Sequence, residues 1–224
     1  MNADSGRTLS AAPRLAIGIL IPFLLVLTNV RLLLTPTFVS LEYATPGFPD
    51  DPYGFARDER TDLAQLARIY LLNDAGPEFL GDLRDANGKV LYNPRELGHM
   101  LDVKAIVQRA LTAWAILGLA LALTALAAWR LGQPGTARAG LRLGARLTLA
   151  LMAGLVLLMA ASFSVLFTGF HNVFFEPGTW VFYTSDTLIR LFPMRFWRDA
   201  FATLMVLTAI EAGLLLWGTR AGKR

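Results

Sequence analysis

Four long apolar runs, separated by polar segments, constrain this 224-residue chain more than any other feature. They lie at about 15–35, 105–129, 147–168 and 202–218. A helix of about 20 apolar residues crosses the hydrocarbon core of a bilayer, because that core is roughly 30 Å thick and each residue adds about 1.5 Å. The hydrophobic fraction of 54%, against 17% charged residues, is also too high for an ordinary soluble domain. The sequence therefore predicts an all-α membrane protein with four transmembrane helices.

The distribution of charge predicts the orientation of these helices. Nine of the 21 basic residues flank the apolar runs on one side, namely Arg7, Arg14, Arg130, Arg138, Arg142, Arg146, Arg220, Lys223 and Arg224. The same segments hold one acidic residue, Asp4, whereas the opposite segments and span ends hold twelve basic and fifteen acidic residues. Lys and Arg are enriched on the cytoplasmic side, so we expect residues 1–14, 130–146 and 219–224 to be cytoplasmic. Because this pattern accounts for the net charge of +4, no nucleic-acid partner is expected.

The two remaining polar segments are then extracellular. Residues 36–104 form a small cap, in which apolar residues at helical spacing predict one amphipathic helix over 58–72, and Asn87-Gly88 marks a possible hairpin. Residues 169–201 form a loop dense in aromatic side chains: Phe170, Phe174, Phe175, Trp180, Phe182, Tyr183, Phe192, Phe196, Trp197 and Phe201. An interfacial belt and a shaped apolar pocket both fit this composition.

Only two histidines occur, His99 and His171, and both lie just beyond a predicted span end on the outer side. Histidine is the side chain best suited to proton transfer near neutral pH. Glu96 and Asp102 share a helical face with His99 if that stretch is helical, so a carboxylate could orient its imidazole. Aromatic neighbours would partly desolvate His171 and favour its neutral form. Taken singly, each histidine also fits a structural role.

The sequence lacks residues that other kinds of catalytic or metal site require. The chain has no cysteine, so it has no thiolate nucleophile, disulfide or Cys-ligated metal. Glu96-x-x-His99 resembles half of a di-iron carboxylate pattern, but the other ligands are missing, and neither histidine lies deep enough in a span for ordinary haem ligation. No G-x-S-x-G nucleophile motif occurs. Two charges lie within apolar runs: Arg31 could snorkel or bind a substrate carbonyl, and Glu211 has no assigned role.

Three stretches of the chain resemble the lipoprotein intramolecular transacylases, a family of small bacterial four-span membrane proteins. The first stretch is Glu96-Leu97-Gly98-His99-Met100-Leu101-Asp102-Val103-Lys104. The second is Phe167-Thr168-Gly169-Phe170-His171-Asn172-Val173-Phe174-Phe175 with Thr179-Trp180, and the third is Thr187-Leu188-Ile189-Arg190-Leu191-Phe192-Pro193 with Phe196-Trp197. The order and spacing of the predicted spans also fit over nearly the whole chain.

The resemblance implies an enzyme of the bacterial cytoplasmic membrane with its active site on the extracellular side. It implies that His99 and His171 are catalytic and that aromatic residues line the substrate site. Supporting or substrate-binding roles are expected for Glu96, Asp102, Asn172, Phe170, Phe174, Phe175, Trp180 and Arg31. The implied partners are diacylated bacterial lipoproteins and membrane lipids, and we expect a monomer without metal or other cofactor.

The implied reaction moves the sn-2 acyl chain of a diacylglyceryl lipoprotein to the amino group of its N-terminal cysteine, which gives the lyso-form. We expect His171 to act as the base, and His99 to act as the acid or oxyanion partner because Glu96 and Asp102 would favour its cation. Two other functions stay open from the sequence: a non-enzymatic lipid- or lipoprotein-binding membrane protein, and a small transporter. Whether the two histidines meet is not fixed by the sequence.

Overall fold

The computed structural model describes residues 3–221, with side chains over 11–220. Within that range the chain forms helices and no strand. The helices are α1 Ala3–Leu33, α2 Pro36–Ala44, α3 Arg57–Leu72, α4 Glu78–Gly81, α5 Pro94–Arg130, α6 Pro134–Ala161, α7 Phe163–Phe174, α8 Thr187–Leu191 and α9 Met194–Ala221. The ends of the predicted cytoplasmic termini, residues 1–2 and 222–224, lie outside the described residues, as do the side chains of Asp4 and Arg7.

Four helices are long and apolar enough to cross a membrane, which confirms the predicted fold class. They cover Ala11–Leu33, Pro94–Arg130, Pro134–Ala161 and Met194–Arg220. Helix α5 has 37 residues, so it is about 56 Å long at about 1.5 Å per residue. That is nearly twice the roughly 30 Å hydrocarbon thickness. Part of α5 therefore extends beyond the apolar layer.

Several helices begin where the sequence places a proline. Pro36, Pro94 and Pro134 are the first residues of α2, α5 and α6. Proline suits this position because its fixed φ is already helical and its missing N–H would have no partner in the first turn. Helix α3 occupies Arg57–Leu72, where the sequence predicts an amphipathic helix.

Residues 147–201 are more helical than the sequence analysis expected. Helix α6 ends at Ala161, and α7 begins at Phe163 after Ser162. The Ser162 hydroxyl accepts a hydrogen bond from Val165 N at 3.4 Å, which caps the new helix. The aromatic segment 169–201 therefore contains the end of α7, all of α8 and the start of α9. The possible hairpin at Asn87-Gly88 is a single antiparallel bridge between Arg84 and Val90.

The chain divides into two compact units. The first, which we call the span unit, comprises Met1–Val30, Leu111–Ala161 and Ala202–Arg224. The second, the site unit, comprises Arg31–Ala110 and Ser162–Phe201 and contains both histidines.

In the span unit, α1 and α6 approach closely at two glycines spaced four residues apart. A Cβ on Gly144 would lie 2.5 Å from Ile21 Cβ and 3.0 Å from Gly18 O, and a Cβ on Gly140 would lie 2.8 Å from Ile17 Cβ. Small residues at this spacing let two membrane helices bring their backbones together, which strengthens van der Waals packing. The sequence carries this signal as Gly140-x-x-x-Gly144.

We expect Gly144→Ala to lower the stability of the protein by about 1–3 kcal/mol, because the added methyl overpacks a backbone-to-backbone contact. Gly154→Ala in the same helix is the matched control, since nothing lies within 4 Å of its added Cβ. Thermal unfolding in detergent measures both variants. Equal melting temperatures for the two variants would contradict the close approach of α1 and α6.

A polar contact also joins α1 to α9 within the span unit. Asn29 is fully buried, and its Nδ2 donates to Thr208 Oγ1 at 3.0 Å and to Glu211 Oε2 at 2.8 Å. Buried polar side chains in membrane helices commonly pair across helices in this way. Glu211, which had no role in the sequence analysis, therefore has an interhelical partner.

The core of the site unit is tied together by a buried arginine. The guanidinium of Arg60 donates to Arg190 O at 3.0 and 2.6 Å and to Pro49 O at 2.7 Å. Its side chain packs against the rings of Tyr43 and Phe48. These bonds fasten α3 to the segment that contains α8, because Arg190 belongs to α8.

Candidate active site

The position of His99 is set by the start of α5. Asn93 Oδ1 accepts from Arg95 N at 3.0 Å and from Glu96 N at 3.1 Å, and Asn93 N donates to Glu96 Oε2 at 2.8 Å. This reciprocal arrangement is a capping box, which satisfies helix-terminal N–H groups from both sides. It fixes the first turn of α5, and His99 follows one turn later.

The second carboxylate oxygen of Glu96 reaches a distant segment. Glu96 is 1% exposed, and its Oε1 accepts from Leu188 N, in α8, at 2.8 Å. Glu96 therefore joins the start of α5 to α8. The sequence analysis expected Glu96 or Asp102 to orient the imidazole of His99. Instead both Glu96 oxygens accept backbone N–H groups, and Asp102 is exposed.

His171 lies in the last turn of α7 and is oriented by its own helix. Its Nδ1 lies 2.8 Å from Phe167 O, four residues earlier. A carbonyl oxygen can only accept, so the proton is on Nδ1, and Nε2 of the neutral ring carries a lone pair. His171 therefore presents a hydrogen-bond acceptor on the side away from α7.

The structure brings the two histidines together. Their ring centroids are 6.3 Å apart, and the ring planes differ by 21°. Phe175 contacts both rings, with centroids 4.8 Å from His99 and 5.5 Å from His171. Both histidines belong to the site unit, α5 supplying one and α7 the other. Two imidazoles at this separation can act on neighbouring atoms of one substrate.

Further aromatic rings surround the pair. Phe182 lies 5.4 Å from His99, and Phe167, Trp180 and Phe170 lie 4.1, 4.7 and 5.5 Å from His171. The histidines are consequently buried, with 9% of His99 and 7% of His171 exposed. Burial disfavours a charged ring, so the pKa of His171 falls below its usual value of 6.5, against the opposing effect of the bond to Phe167 O.

Two buried nitrogens in this aromatic cluster have no hydrogen-bond partner among the described residues. They are His99 Nδ1 and Trp180 Nε1. A buried polar atom without a partner is destabilising by about 1–3 kcal/mol. Such atoms in a site of this kind are available for a substrate.

A tight turn delivers Trp180 to His171. Thr179 N donates to Glu176 O at 3.2 Å, and Gly178 between them has φ +89°. Pro177 followed by a left-handed glycine is the pattern of a type II turn. The turn brings the chain back towards α7, so that Trp180 packs on His171.

We expect Gly178→Ala to lower stability by about 1–2 kcal/mol, because a side chain with a Cβ is strained at this φ. The substitution should also move Trp180 away from His171, because it alters the turn. Thermal unfolding measures the first effect. Gly213→Ala, at a helical position with nothing within 4 Å of the added Cβ, is the control. A Gly178→Ala variant as stable as that control would mean that the turn tolerates a side chain.

The remaining predicted site residues lie at the edge of this cluster or are exposed. Phe174 packs on Phe170 with centroids 4.9 Å apart, and both are partly exposed. Asn172 and Arg31 are exposed. Asn93 and Leu188, which hold Glu96, were not predicted as site residues. Leu188 lies in the third stretch of the family resemblance, and Asn93-Pro94-x-Glu96 is a recognisable helix-start signal.

No cluster of metal ligands accompanies the histidines. Across the part of the chain that the structure describes, no group of three or more His, Cys, Asp or Glu side chains is arranged to hold a metal ion. The groups that the structure places at this site are two imidazoles, an indole N–H and their aromatic surroundings.

The chain is similar to known proteins in both sequence and structure. A family model described as "Lipoprotein intramolecular transacylase Lit" matches residues 15–197. A protein of Aquifex aeolicus, named only as uncharacterised, is 29% identical over 211 residues, which is 94% of each chain.

Among solved structures, the fold is similar to that of the membrane-integral lipoprotein intramolecular transacylase of Bacillus cereus. The TM-score is 0.72 at 17% identity, over 96% of this chain and 95% of that one. A variant of the same Bacillus protein, with one histidine replaced by alanine, gives a TM-score of 0.74 at 17% identity, over 99% and 96% of the two chains. At this level of identity the structural likeness concerns the fold.

Proposed function

Because the chain belongs to the lipoprotein intramolecular transacylase family, we propose that it moves the sn-2 acyl chain of a diacylglyceryl lipoprotein to the amino group of the lipoprotein's N-terminal cysteine. The product is the lyso-form lipoprotein. The reaction converts an ester into an amide within one molecule, so it requires no external acyl donor, ATP or metal. Diacylated lipoproteins are the proposed substrates, and a monomer is the proposed working form.

The observation that carries this proposal is the buried pair of histidines with ring centroids 6.3 Å apart. Acyl transfer from oxygen to nitrogen needs one group that takes a proton from the attacking amine and one that assists the leaving oxygen. The pair supplies two imidazoles close enough to act on one substrate, and the rings around them would keep water away. Water must be kept away because it would hydrolyse the ester.

We assign the base to His171. Its Nδ1 proton is held by Phe167 O, so Nε2 is free to accept the proton of the amine. As the neutral amine nitrogen bonds to the ester carbonyl carbon, its proton passes to Nε2 and the carbonyl π pair moves to oxygen. When this intermediate collapses, the bond from carbon to the glyceryl oxygen breaks, and His171 returns the proton to that oxygen. The products are the amide on the cysteine nitrogen and the free glyceryl hydroxyl, with His171 neutral again.

His99 is the proposed partner of the leaving glyceryl oxygen. The sequence-based reason for this role was a cation favoured by Glu96, but Glu96 is engaged with Asn93 N and Leu188 N. A neutral His99 can still donate its N–H to the glyceryl oxygen, which stabilises that oxygen as the bond breaks. The proposed role therefore rests on hydrogen bonding and does not need an imidazolium.

The aromatic rings would hold the substrate in a folded conformation. Attack by the amine closes a medium-sized ring, and such rings close slowly because few of the open conformers bring the ends together. Fixing the productive conformer in an enzyme site can lower the barrier by several kcal/mol. Phe170, Phe175 and Trp180 are the proposed contacts for the glyceryl and acyl groups.

We place the site on the extracellular side of the bacterial cytoplasmic membrane. The argument is the asymmetry of basic residues, which puts 1–14, 130–146 and 219–224 inside. The length of α5 is compatible with this placement, because its polar first turns at 94–104 can extend beyond the hydrocarbon layer while 105–129 spans it.

The lowered pKa of His171 predicts that its ring titrates below pH 6.5. A base must be neutral, and a pKa below 6.5 keeps His171 neutral as the pH falls through 6.5. The decrease of kcat/KM at low pH should then reflect protonation of the substrate amine, because the pKa of an α-amino group is ordinarily about 7.7–8.0. NMR of protein labelled with ¹³C at its histidines measures the titration directly, and His171→Asn assigns the signal. A midpoint at or above 6.5 would contradict the buried, neutral base.

The decisive experiment is mass spectrometry of a reporter lipoprotein. The full-length chain is expressed in a host whose lipoproteins carry a free N-terminal amine and two ester-linked acyl chains. We expect one acyl chain to move onto the cysteine nitrogen and the sn-2 hydroxyl to become free, with no change in total mass. Unchanged acyl placement in the presence of membrane-inserted protein would refute transacylation and favour a lipoprotein-binding role.

A further inference from the structure

The N–H of Trp180 is a donor in a cluster that consists mostly of phenylalanine rings. Its Nε1 is buried and has no hydrogen-bond partner among the described residues. An indole N–H can only donate, and buried tryptophans usually find an acceptor. The side chain is nevertheless held firmly by the turn at Gly178 and by packing on His171 at 4.7 Å. The donor is thus fixed in position and left open.

The groups around His171, on which Trp180 packs, offer the indole N–H few acceptors. Three of the rings that pack on His171, those of Phe167, Phe170 and Phe175, have no polar atoms. Nε2 of His171 itself is the proposed acceptor of the amine proton. The carbonyl oxygen of Phe167 accepts the Nδ1 proton of His171. A contact between the indole N–H and a ring face is weaker than an ordinary hydrogen bond. A substrate oxygen would satisfy the donor better than any of these groups.

The proposed reaction creates a charge on the carbonyl oxygen of the ester, and neither histidine is the hydrogen-bond donor to that oxygen. His171 takes the amine proton and His99 faces the glyceryl oxygen, whereas the carbonyl oxygen becomes an oxyanion when the amine adds to carbon. A fixed donor aimed at that oxygen in a site that excludes water is worth far more than one in water, because nothing has to reorganise as the charge develops. The aromatic cluster contains one further donor, Trp180.

We propose that Trp180 is a catalytic residue whose Nε1–H donates a hydrogen bond to the carbonyl oxygen of the sn-2 ester and stabilises the oxyanion formed from it. This role rests on the proposed transacylation. In that step the amine nitrogen bonds to the carbonyl carbon, and the π electron pair moves to the oxygen that Trp180 contacts. The pair returns when the bond to the glyceryl oxygen breaks. The Trp180 proton stays on nitrogen throughout.

The test removes the N–H without removing the ring system. Trp180 is replaced by β-(3-benzothienyl)alanine, which has nearly the shape of tryptophan but carries sulfur in place of N–H, and in a second variant by phenylalanine. Trp217, which is 71% exposed in α9, receives the same two changes as a matched control. kcat and KM are measured in detergent on a diacylglyceryl lipopeptide. Binding is measured on a diether analogue, which lacks both carbonyl oxygens.

We expect the benzothienyl variant at 180 to lose about 10²–10³-fold in kcat, the loss typical of an oxyanion donor. KM, the affinity for the diether analogue and the melting temperature should be nearly unchanged, because the ring still packs and the analogue has no carbonyl. The phenylalanine variant should lose at least as much kcat. The Trp217 variants should retain the kcat of the unmodified protein.

Other outcomes overturn the proposal in distinguishable ways. If the unmodified protein makes no lyso-form product, transacylation itself fails. If it does and the benzothienyl variant at 180 keeps its kcat, the donor role alone fails. A variant that loses affinity for the diether analogue shows that Trp180 acts by packing. A shift in the titration of His171 with kcat preserved at high pH shows that Trp180 acts through the histidine ring.

Discussion

Replacing His171 with asparagine will lower the rate of lyso-form production by about 10²–10⁴-fold, the range typical of a lost general base. Asparagine is close to histidine in size, and its amide N–H can still donate towards Phe167 O. The fold of α7 should therefore survive, while the lone pair at Nε2 is lost. The rate is measured by mass spectrometry of a diacyl lipopeptide after incubation with purified protein.

The control for this variant is Val173→Ala in the same helix, since Val173 is 75% exposed. It should retain most of the activity and the same melting temperature. If the unmodified protein, His171→Asn and Val173→Ala reach the membrane in equal amounts, the lower rate of His171→Asn is due to lost catalysis and not to lost protein. Retention of more than about a tenth of the rate by His171→Asn would be inconsistent with general-base catalysis of the usual size. His99→Asn should also lose activity, through the leaving oxygen.

The second large effect is expected at Glu96. Glu96→Ala leaves Asn93 N and Leu188 N without their acceptor, and each charge-assisted bond contributes at least about 1.5 kcal/mol. We expect a loss of about 3 kcal/mol or more in stability, together with loss of activity, because the join between α5 and α8 is broken. Thermal unfolding in detergent and the lipopeptide assay measure the two effects.

Two companion variants separate the possible roles of Glu96. Glu59→Ala removes an exposed carboxylate from the first turn of α3 and should change stability by less than about 1 kcal/mol. Glu96→Gln keeps one acceptor oxygen and should fall between the parent and Glu96→Ala. If Glu96→Gln keeps full stability and only shifts the titration of His99, the carboxylate acts on the imidazole after all and the α8 join is unimportant.

The four apolar helices were predictable from the sequence, but their limits were not. Membrane insertion depends on the length and hydropathy of a run, and both can be counted directly. The break between α6 and α7 lies inside one such run, where Ser162 and Ser164 are polar residues among apolar ones. Composition cannot distinguish a serine that faces a neighbouring helix from one that caps a new helix. The third predicted span accordingly continued to 168.

The residues of the candidate site could be proposed from the sequence, whereas their contacts could not. Two histidines at one predicted membrane boundary were sufficient to select His99 and His171, yet their separation depends on how α5 packs against α7. The pairing of Glu96 with His99 rested on helical spacing alone. Glu96 is also three residues after Asn93, and that local capping pattern correctly indicates where one of its oxygens lies. The contact with Leu188 has no local signal.

The join made by Glu96 belongs to a set of four hydrogen bonds between residues 91–96 and 186–188, each spanning more than 90 residues of chain. Formation of the first of these bonds closes a loop of that length, which costs about 4 kcal/mol or more of chain entropy. The other three bonds then form with little further loss of entropy. The four should therefore form together. During synthesis both histidines are incorporated before residue 186. A nascent chain therefore carries both imidazoles before the hydrogen bonds that assemble the site can form.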